Sequence, residues 1–303
     1  MSPVPPRTDE VRAQTRALAV LLFGACAIGF APILVRLTES GPAAAAFWRF
    51  AFAVPLILLL GRVTERTGPG LPSRAALLAG LFIATDLAFW HYGIKLTSVA
   101  NATVLSNLTP IIVTAVAWFA FKERPRRTFL AGLALAVGGA VAMAVFGEGA
   151  ARQPGANPPL GDLFSAITAI WYAAYFLAVA QARRSMSTVR VMTWSTLAGL
   201  PFLLAYSLIL RESIFPAALA GWAACLGLGV MHVTGQGAIA WALGRLPTAV
   251  TAVVVLIQPV IAAALGWVLF GEALAPLQML GGAAALAGVA VAQMSRRRPS
   301  PPA

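Results

Sequence analysis

The residues of this chain best placed to do chemistry are the few ionisable and hydrogen-bonding side chains inside long apolar runs. Arg49 falls in the apolar run 43–60, and Asp86 falls in the run 75–94. A charge surrounded by hydrocarbon is costly, so such a position is a functional candidate by default. An arginine there can hold a carboxylate. An aspartate can hold an amine or carry a proton. Arg49 lies about six residues, roughly 9 Å, from the outer end expected for its run. Asp86 lies near the middle of a run of opposite direction, so the two depths are close and the side chains could pair. The alternative uses are a structural ion pair, or an Arg49 side chain that reaches for the interface.

Other polar and aromatic groups fall at similar depth. Trp90 follows Asp86 by four residues, which places both on one helical face, and His91 comes next. His232 and Gln236 repeat that spacing in a later run. A histidine of ordinary basicity can relay protons, and it can equally be a hydrogen-bonded packing residue. Trp171 and Tyr175 share a face of the run 161–181, with Tyr172 beside them. Aromatics at mid-run can line a cavity for an organic solute. Pro110 and Pro259 lie within apolar runs, where proline disturbs helical hydrogen bonding, so they are expected to act as hinges. The candidate binding set is therefore Arg49, Asp86, Trp90, His91, Trp171, Tyr175, His232 and Gln236, with Pro110 and Pro259 as hinges. Asn101, Asn107 and Thr109 are expected to make interhelical hydrogen bonds.

The elements that must position these residues follow from composition. Of 303 residues, 59% are hydrophobic and 11% charged, and the mean hydropathy is +0.82. Soluble domains are about 25% charged, so a soluble enzyme or a nucleic-acid-binding domain is excluded despite the net charge of +12. Apolar runs occupy 17–35, 43–60, 75–94, 101–121, 128–147, 161–181, 189–210, 217–242, 248–270 and 273–294. Each approaches the roughly 20 residues that span a bilayer. The first run is too long for the apolar core of a signal peptide, about 7–15 residues. It is therefore expected to be a retained span. Between the eighth and ninth runs only Leu243-Gly244-Arg245-Leu246-Pro247 intervenes, and its Gly and Pro are adequate punctuation. With ten spans and the N-terminus inside, Lys and Arg collect in the inside segments. Only Arg36, Lys95, Arg152 and Arg211 fall outside, and Arg49 falls within a span. That asymmetry is the positive-inside pattern. It predicts a multi-pass protein of a bacterial-type cytoplasmic membrane with both termini cytoplasmic. Cys26 and Cys225 lie in apolar runs and are expected to be buried free thiols.

A shift of 149 residues superposes 100–139 on 249–288. Pro110 meets Pro259, Trp118 meets Trp267, Phe121 meets Phe270, Glu123 meets Glu272, Gly132 meets Gly281 and Gly139 meets Gly288, all without a gap. A repeat of five spans is odd, so its second copy must cross in the opposite sense, as in many secondary transporters. The expected fold is all-α and integral to the membrane, with ten transmembrane helices as two inverted five-helix repeats. The divisions are a tail 1–16, a first repeat 17–147, a linker 148–160, a second repeat 161–294 and a basic tail 295–303. The chain resembles the EamA-type drug/metabolite transporter superfamily in Phe47-Trp48-Arg49-Phe50, Leu108-Thr109-Pro110, Trp118-Phe119-Ala120-Phe121-Lys122-Glu123, Gly161-Asp162, Gln258-Pro259 and Trp267-Val268-Leu269-Phe270-Gly271-Glu272. That resemblance implies a ten-helix carrier that exports or imports amino acids and other small metabolites. Two similar halves of opposite sense suit alternating access, and the expected task is export of an amino acid or related metabolite. The expected partners are membrane lipid, a small-molecule solute and protons, with no nucleic acid. Other readings are uptake of a nucleoside, cofactor precursor or lipophilic cation, or an integral-membrane enzyme or scaffold. No phosphate-binding loop, metal cluster or activated nucleophile stands in the sequence, so neither an enzyme nor a cofactor is expected.

Overall fold

The computed structural model describes residues 8–66, 68–97, 99–121, 125–146, 157–270 and 275–294. All regular structure among them is helical. The order is α1 (Thr8–Ile28), α2 (Ala31–Leu37), α3 (Pro42–Thr64), α4 (Arg74–Leu96), α5 (Val99–Ser106), α6 (Thr109–Phe121) and α7 (Arg127–Val145). It continues with α8 (Pro158–Ala182), α9 (Thr188–Ile209), α10 (Leu219–Met231), a π-helical turn His232–Gln236, α11 (Gly237–Leu243), α12 (Thr248–Val255), α13 (Gln258–Phe270) and α14 (Pro276–Met294). Seven helical segments are long and apolar enough to cross a membrane: Arg12–Leu37, Pro42–Thr64, Arg74–Leu96, Pro158–Ala182, Thr188–Ile209, Leu219–Leu243 and Thr248–Leu269. Three shorter apolar helices accompany them, Ala102–Val116, Arg127–Ala142 and Pro276–Ala292. Glu123 and Glu272, most of the linker and the basic tail lie outside the described residues.

Helix starts follow local chemistry. Ser73 Oγ accepts from Ala76 N at 3.1 Å and Ser187 Oγ from Arg190 N at 3.2 Å, satisfying amides that a helix cannot satisfy itself. The break expected between the eighth and ninth runs is present, with Leu246 N donating to Ala242 O at 2.8 Å before Pro247.

The prolines, expected to disturb the helices from within, stand instead where new helices begin. The backbone leaves the helix at Asn107-Leu108 and again at Leu256-Ile257. Pro110 and Pro259 are the second residues of α6 and α13. In the first turn a missing amide costs nothing, because no intrahelical acceptor exists for it. Each run is thus two half-helices, broken at positions 149 residues apart.

Packing depends on small residues. α7 and α14 are antiparallel: Gly132 abuts Ala292, and Gly139 abuts Ala285 and Gly281. α4 and α8 are antiparallel as well, with Phe89 on Phe164 (5.4 Å) and Phe82 on Trp171 (6.0 Å). Gly24 of α1 meets Ala238 of α11, while Ile28 meets Gly235 of the π turn. α5 packs on α13 and α6 on α12, so the two broken segments cross head to tail. Glycine and alanine let these backbones approach closely enough for dispersion contacts to hold helices together in lipid. Large apolar side chains such as Leu59, Val63, Phe119 and Val268 remain exposed, as expected of surfaces facing hydrocarbon.

Candidate functional site

α4 directs Asp86 and Trp90, one turn apart, toward the centre of the bundle. α3 brings Arg49, and α8 brings Thr168 and Tyr172. The π turn contributes Gln236, and the broken ends contribute Ser106, Asn107 and Gln258. These residues line one cavity of about 30 Å³, walled by Ile28, Ile83 and Leu87. A water needs about 10–15 Å³ by this measure, so the cavity is the size of a water or two.

The groups facing the cavity are deeply buried, with Arg49 1% and Asp86 5% exposed. Arg49 lies in electrostatic range of Asp86, Tyr172 and Tyr175. The guanidinium and carboxylate nevertheless do not close a structural ion pair. Arg49 Nε and Nη1, Asp86 Oδ1, Trp90 Nε1, Gln236 Nε2 and Gln258 Nε2 have no hydrogen-bond partner in the protein. Buried polar atoms are nearly always satisfied. Leaving one unmade costs about 1–3 kcal/mol, and more when it is charged. Here they converge on one cavity with room for a water or two, so a small polar guest there can supply their partners.

Of the expected set, Arg49, Asp86, Trp90 and Gln236 line this cavity, and the other four do not. His91 follows Trp90 by one residue, a turn of about 100° around the helix. Its Nδ1 is 3.0 Å from Pro42 O, a tie to the start of α3. His232 Nε2 is 3.1 Å from Thr196 Oγ1 of α9, and its ring packs on Phe50 at 4.6 Å. Trp171 and Tyr175 do share a face, but the face of α8 at the cavity is that of Thr168 and Tyr172. Trp171 packs on Phe82 instead. Tyr175 is buried with its ring 6.0 Å from that of Tyr172 and does not line the cavity. Thr109 Oγ1 donates to Ser106 O at 3.0 Å and, as the longer branch, to Ala169 O of α8 at 3.3 Å, so the expected interhelical bond is shared with a local one, whereas Asn107 Nδ2 turns back to Thr103 O at 2.7 Å.

Sequence reasoning overlooked three features. Gln258 reaches the cavity only because the backbone breaks just before it. The π turn at His232–Gln236 has no signal in composition, although such turns recur at functional sites. The third is Glu212. It accepts from Ala43 N (3.2 Å) and Ala44 N (2.8 Å) at the start of α3, and Tyr92 donates its hydroxyl to the same carboxylate. Around it Gly41 N donates to Ser213 O at 2.9 Å, Trp48 Nε1 to Ile214 O at 2.8 Å, and Ala218 N to Glu39 Oε2 at 2.6 Å. Lys95 Nζ donates to Thr38 O and Ser40 O. The segment 210–218 is therefore strapped across this end of the bundle, over the aromatic cluster of Trp48, Phe52, Phe215 and Trp222.

The opposite end is basic. Burial, then repulsion from Arg245 against a smaller attraction to Glu65, holds the Arg183 guanidinium below its usual basicity. Burial, then repulsion from Arg16, does the same for Arg245. Arg16 of α1 and the loop arginines Arg183 and Arg245 thus gather at this end of the bundle.

Helices long and apolar enough to cross a membrane, packed around a buried polar pocket, are the architecture a membrane transport protein requires. The chain belongs to the EamA-like transporter family, within the drug/metabolite transporter superfamily, whose profile matches residues 15–145 and 159–294. It is 27% identical over 278 residues to an uncharacterized transporter of Archaeoglobus fulgidus, covering 90% of this chain and 95% of that one. It is 24% identical over 263 residues to the uncharacterized transporter YetK of Bacillus subtilis, covering 83% and 78%. A solved structure, titled only as a crystal structure of a protein, shares the fold with a TM-score of 0.70 at 21% identity, over 96% of this chain and all of that one.

Proposed function

We propose that this protein is a secondary carrier that moves a small organic metabolite across the cytoplasmic membrane by alternating access, with export of an amino acid or a close relative as its physiological task. The observation that carries the reading is the convergence of Arg49, Asp86, Gln236 and Gln258, each with unsatisfied polar atoms, on one buried cavity. A solute bearing a carboxylate and an amine would supply the missing partners of both charges. Asp86 is the proposed proton-coupling carboxylate and Arg49 the proposed carboxylate holder.

Ten spans, in repeats 17–147 and 161–294 joined by the linker 148–160, with both termini cytoplasmic, complete the reading. The antiparallel packing of α7 on α14, and of the two broken segments on each other, supports repeats of opposite sense. Half-helix ends at the midplane of inverted repeats are a recurrent way to build a solute site. The cavity would have to widen for any solute. The breaks before Pro110 and Pro259 are the natural places for that movement, because no continuous helical ladder resists it there.

The test is transport into proteoliposomes of purified protein, with a panel of radiolabelled amino acids and an imposed pH gradient. The expected result is gradient-driven accumulation of at least one of them. Asp86→Asn should abolish the driven flux at unchanged expression, and Arg49→Gln should weaken carboxylated solutes selectively. Flux indifferent to both substitutions would refute the assignment of this cavity.

A further inference from the structure

A second and larger cavity lies away from the central one. It has a volume of about 300 Å³ and opens between the C-terminal turns of α3 and the start of α9. Its lining changes in chemistry along α3. Ile57 and Leu58 line it nearer the middle of the helix, while Arg62, Glu65, Arg66 and Arg190 line the end beside the following loop, taken as its mouth. From Ile57 to Arg62 is five residues, about 7.5 Å along the helix axis, comparable to the roughly 5–7 Å head-group zone on each side of a bilayer.

The mouth is built to hold its charges. Arg190 Nε donates to Pro69 O at 2.8 Å, and Trp194 Nε1 reaches the same carbonyl at 3.2 Å. The loop after α3 bends through two residues of positive φ, Arg66 at 55° and Gly70 at 61°. Arg190 is thereby fixed against the loop, while Arg62 and Arg66 present exposed guanidinium groups beside it. Three arginines against one glutamate leave a net positive mouth.

We propose that this cleft seats an anionic phospholipid. Arg62, Arg66 and Arg190 would hold its phosphodiester and head group, and the Ile57–Leu58 wall would take the first methylenes of an acyl chain. Basic pockets between transmembrane helices recognise acidic lipid head groups in this way, and the graded wall is the reason to prefer a lipid over a free anion. A soluble phosphate has no use for an apolar floor. The occupied cleft would wedge between α3, which carries Arg49, and α9, whose Thr196 holds His232. The lipid would therefore bear on the central cavity from one side, whatever solute that cavity takes.

The test uses the full chain, delipidated in a mild detergent and titrated with dioleoyl phosphatidylglycerol under native mass spectrometry. Dioleoyl phosphatidylcholine and sn-glycerol 3-phosphate serve as comparison probes. At about 1 kcal/mol for each arginine near the head group, the double variant Arg62→Gln/Arg66→Gln should weaken phosphatidylglycerol binding about 30-fold. Arg74→Gln, an exposed arginine outside the cleft, should leave it unchanged. Both variants must remain monodisperse, so that the loss reports binding rather than unfolding. The proposal is overturned if phosphatidylcholine binds equally well, if the double variant binds as the native chain does, or if glycerol phosphate competes as strongly as the intact lipid.

Discussion

Removing the Glu212 carboxylate should open the strapped end of the bundle. α3 begins at Gly41-Pro42 with no side-chain cap of its own, and Glu212 supplies one from 169 residues away. Glu212→Ala leaves the Ala43 and Ala44 amides and the Tyr92 hydroxyl without their acceptor. Hydrogen bonds to charged groups are worth about 1.5–3 kcal/mol each, and a half-exposed pair is worth the lower end of that range. Counting the two amide bonds alone, a net loss of about 3 kcal/mol is the working figure, on the order of 100-fold in the ratio of strapped to unstrapped states. The readout is a cysteine at Ser40, which is 2% exposed beneath the strap, in a background with Cys26 and Cys225 replaced by Ala. When opening is fast and reversible, the rate of labelling by a water-soluble maleimide follows the open population. Labelling should rise about 100-fold with Glu212→Ala, with a smaller rise for Glu212→Gln, which keeps one acceptor oxygen. Equal labelling in all three monodisperse proteins would show that the strap does not close this end.

Three further outcomes follow from the packing. A Cβ at Gly139 would lie 2.6 Å from Gly281 O, whereas nothing approaches one at Gly138. Gly139→Ala should therefore lower the melting temperature by several degrees, while Gly138→Ala should raise stability by about 0.5–1 kcal/mol; thermal unfolding in detergent distinguishes them. Pro110→Ala and Pro259→Ala should leave the protein folded, because each proline lies in a first helical turn, but each should slow transport by letting the broken segments join; faster or unchanged turnover refutes the hinge role. Single cysteines replacing Arg127 and Pro276, equivalent positions 149 residues apart, should label from opposite faces of the membrane, and labelling from one face would end the inverted-repeat proposal.

Much of this protein is legible in one dimension, because lipid imposes simple rules. An apolar run must become a helix, since a bilayer offers no partner for an open backbone. The seven helices long and apolar enough to cross a membrane, the punctuation at Gly244–Pro247 and the candidacy of Arg49, Asp86 and Gln236 all follow from that. The internal repeat was likewise visible as a register of Pro, Trp, Phe and Gly.

Tertiary structure alone decided which face of each helix looks inward. His91 differs from Trp90 by one position and from Asp86 by five, and that angle sends it to Pro42 O instead of the cavity. Trp171 and Tyr172 are adjacent in sequence and part ways for the same reason. The breaks at Asn107-Leu108 and Leu256-Ile257, and the π turn at His232–Gln236, belong here too. A proline in an apolar run announces that the helical ladder is disturbed, but whether it kinks or begins a new half-helix depends on what packs against it. Glu212 is the extreme case: its work lies 169 residues away in the chain, and no local pattern can carry a contact whose partners are brought together only by the fold.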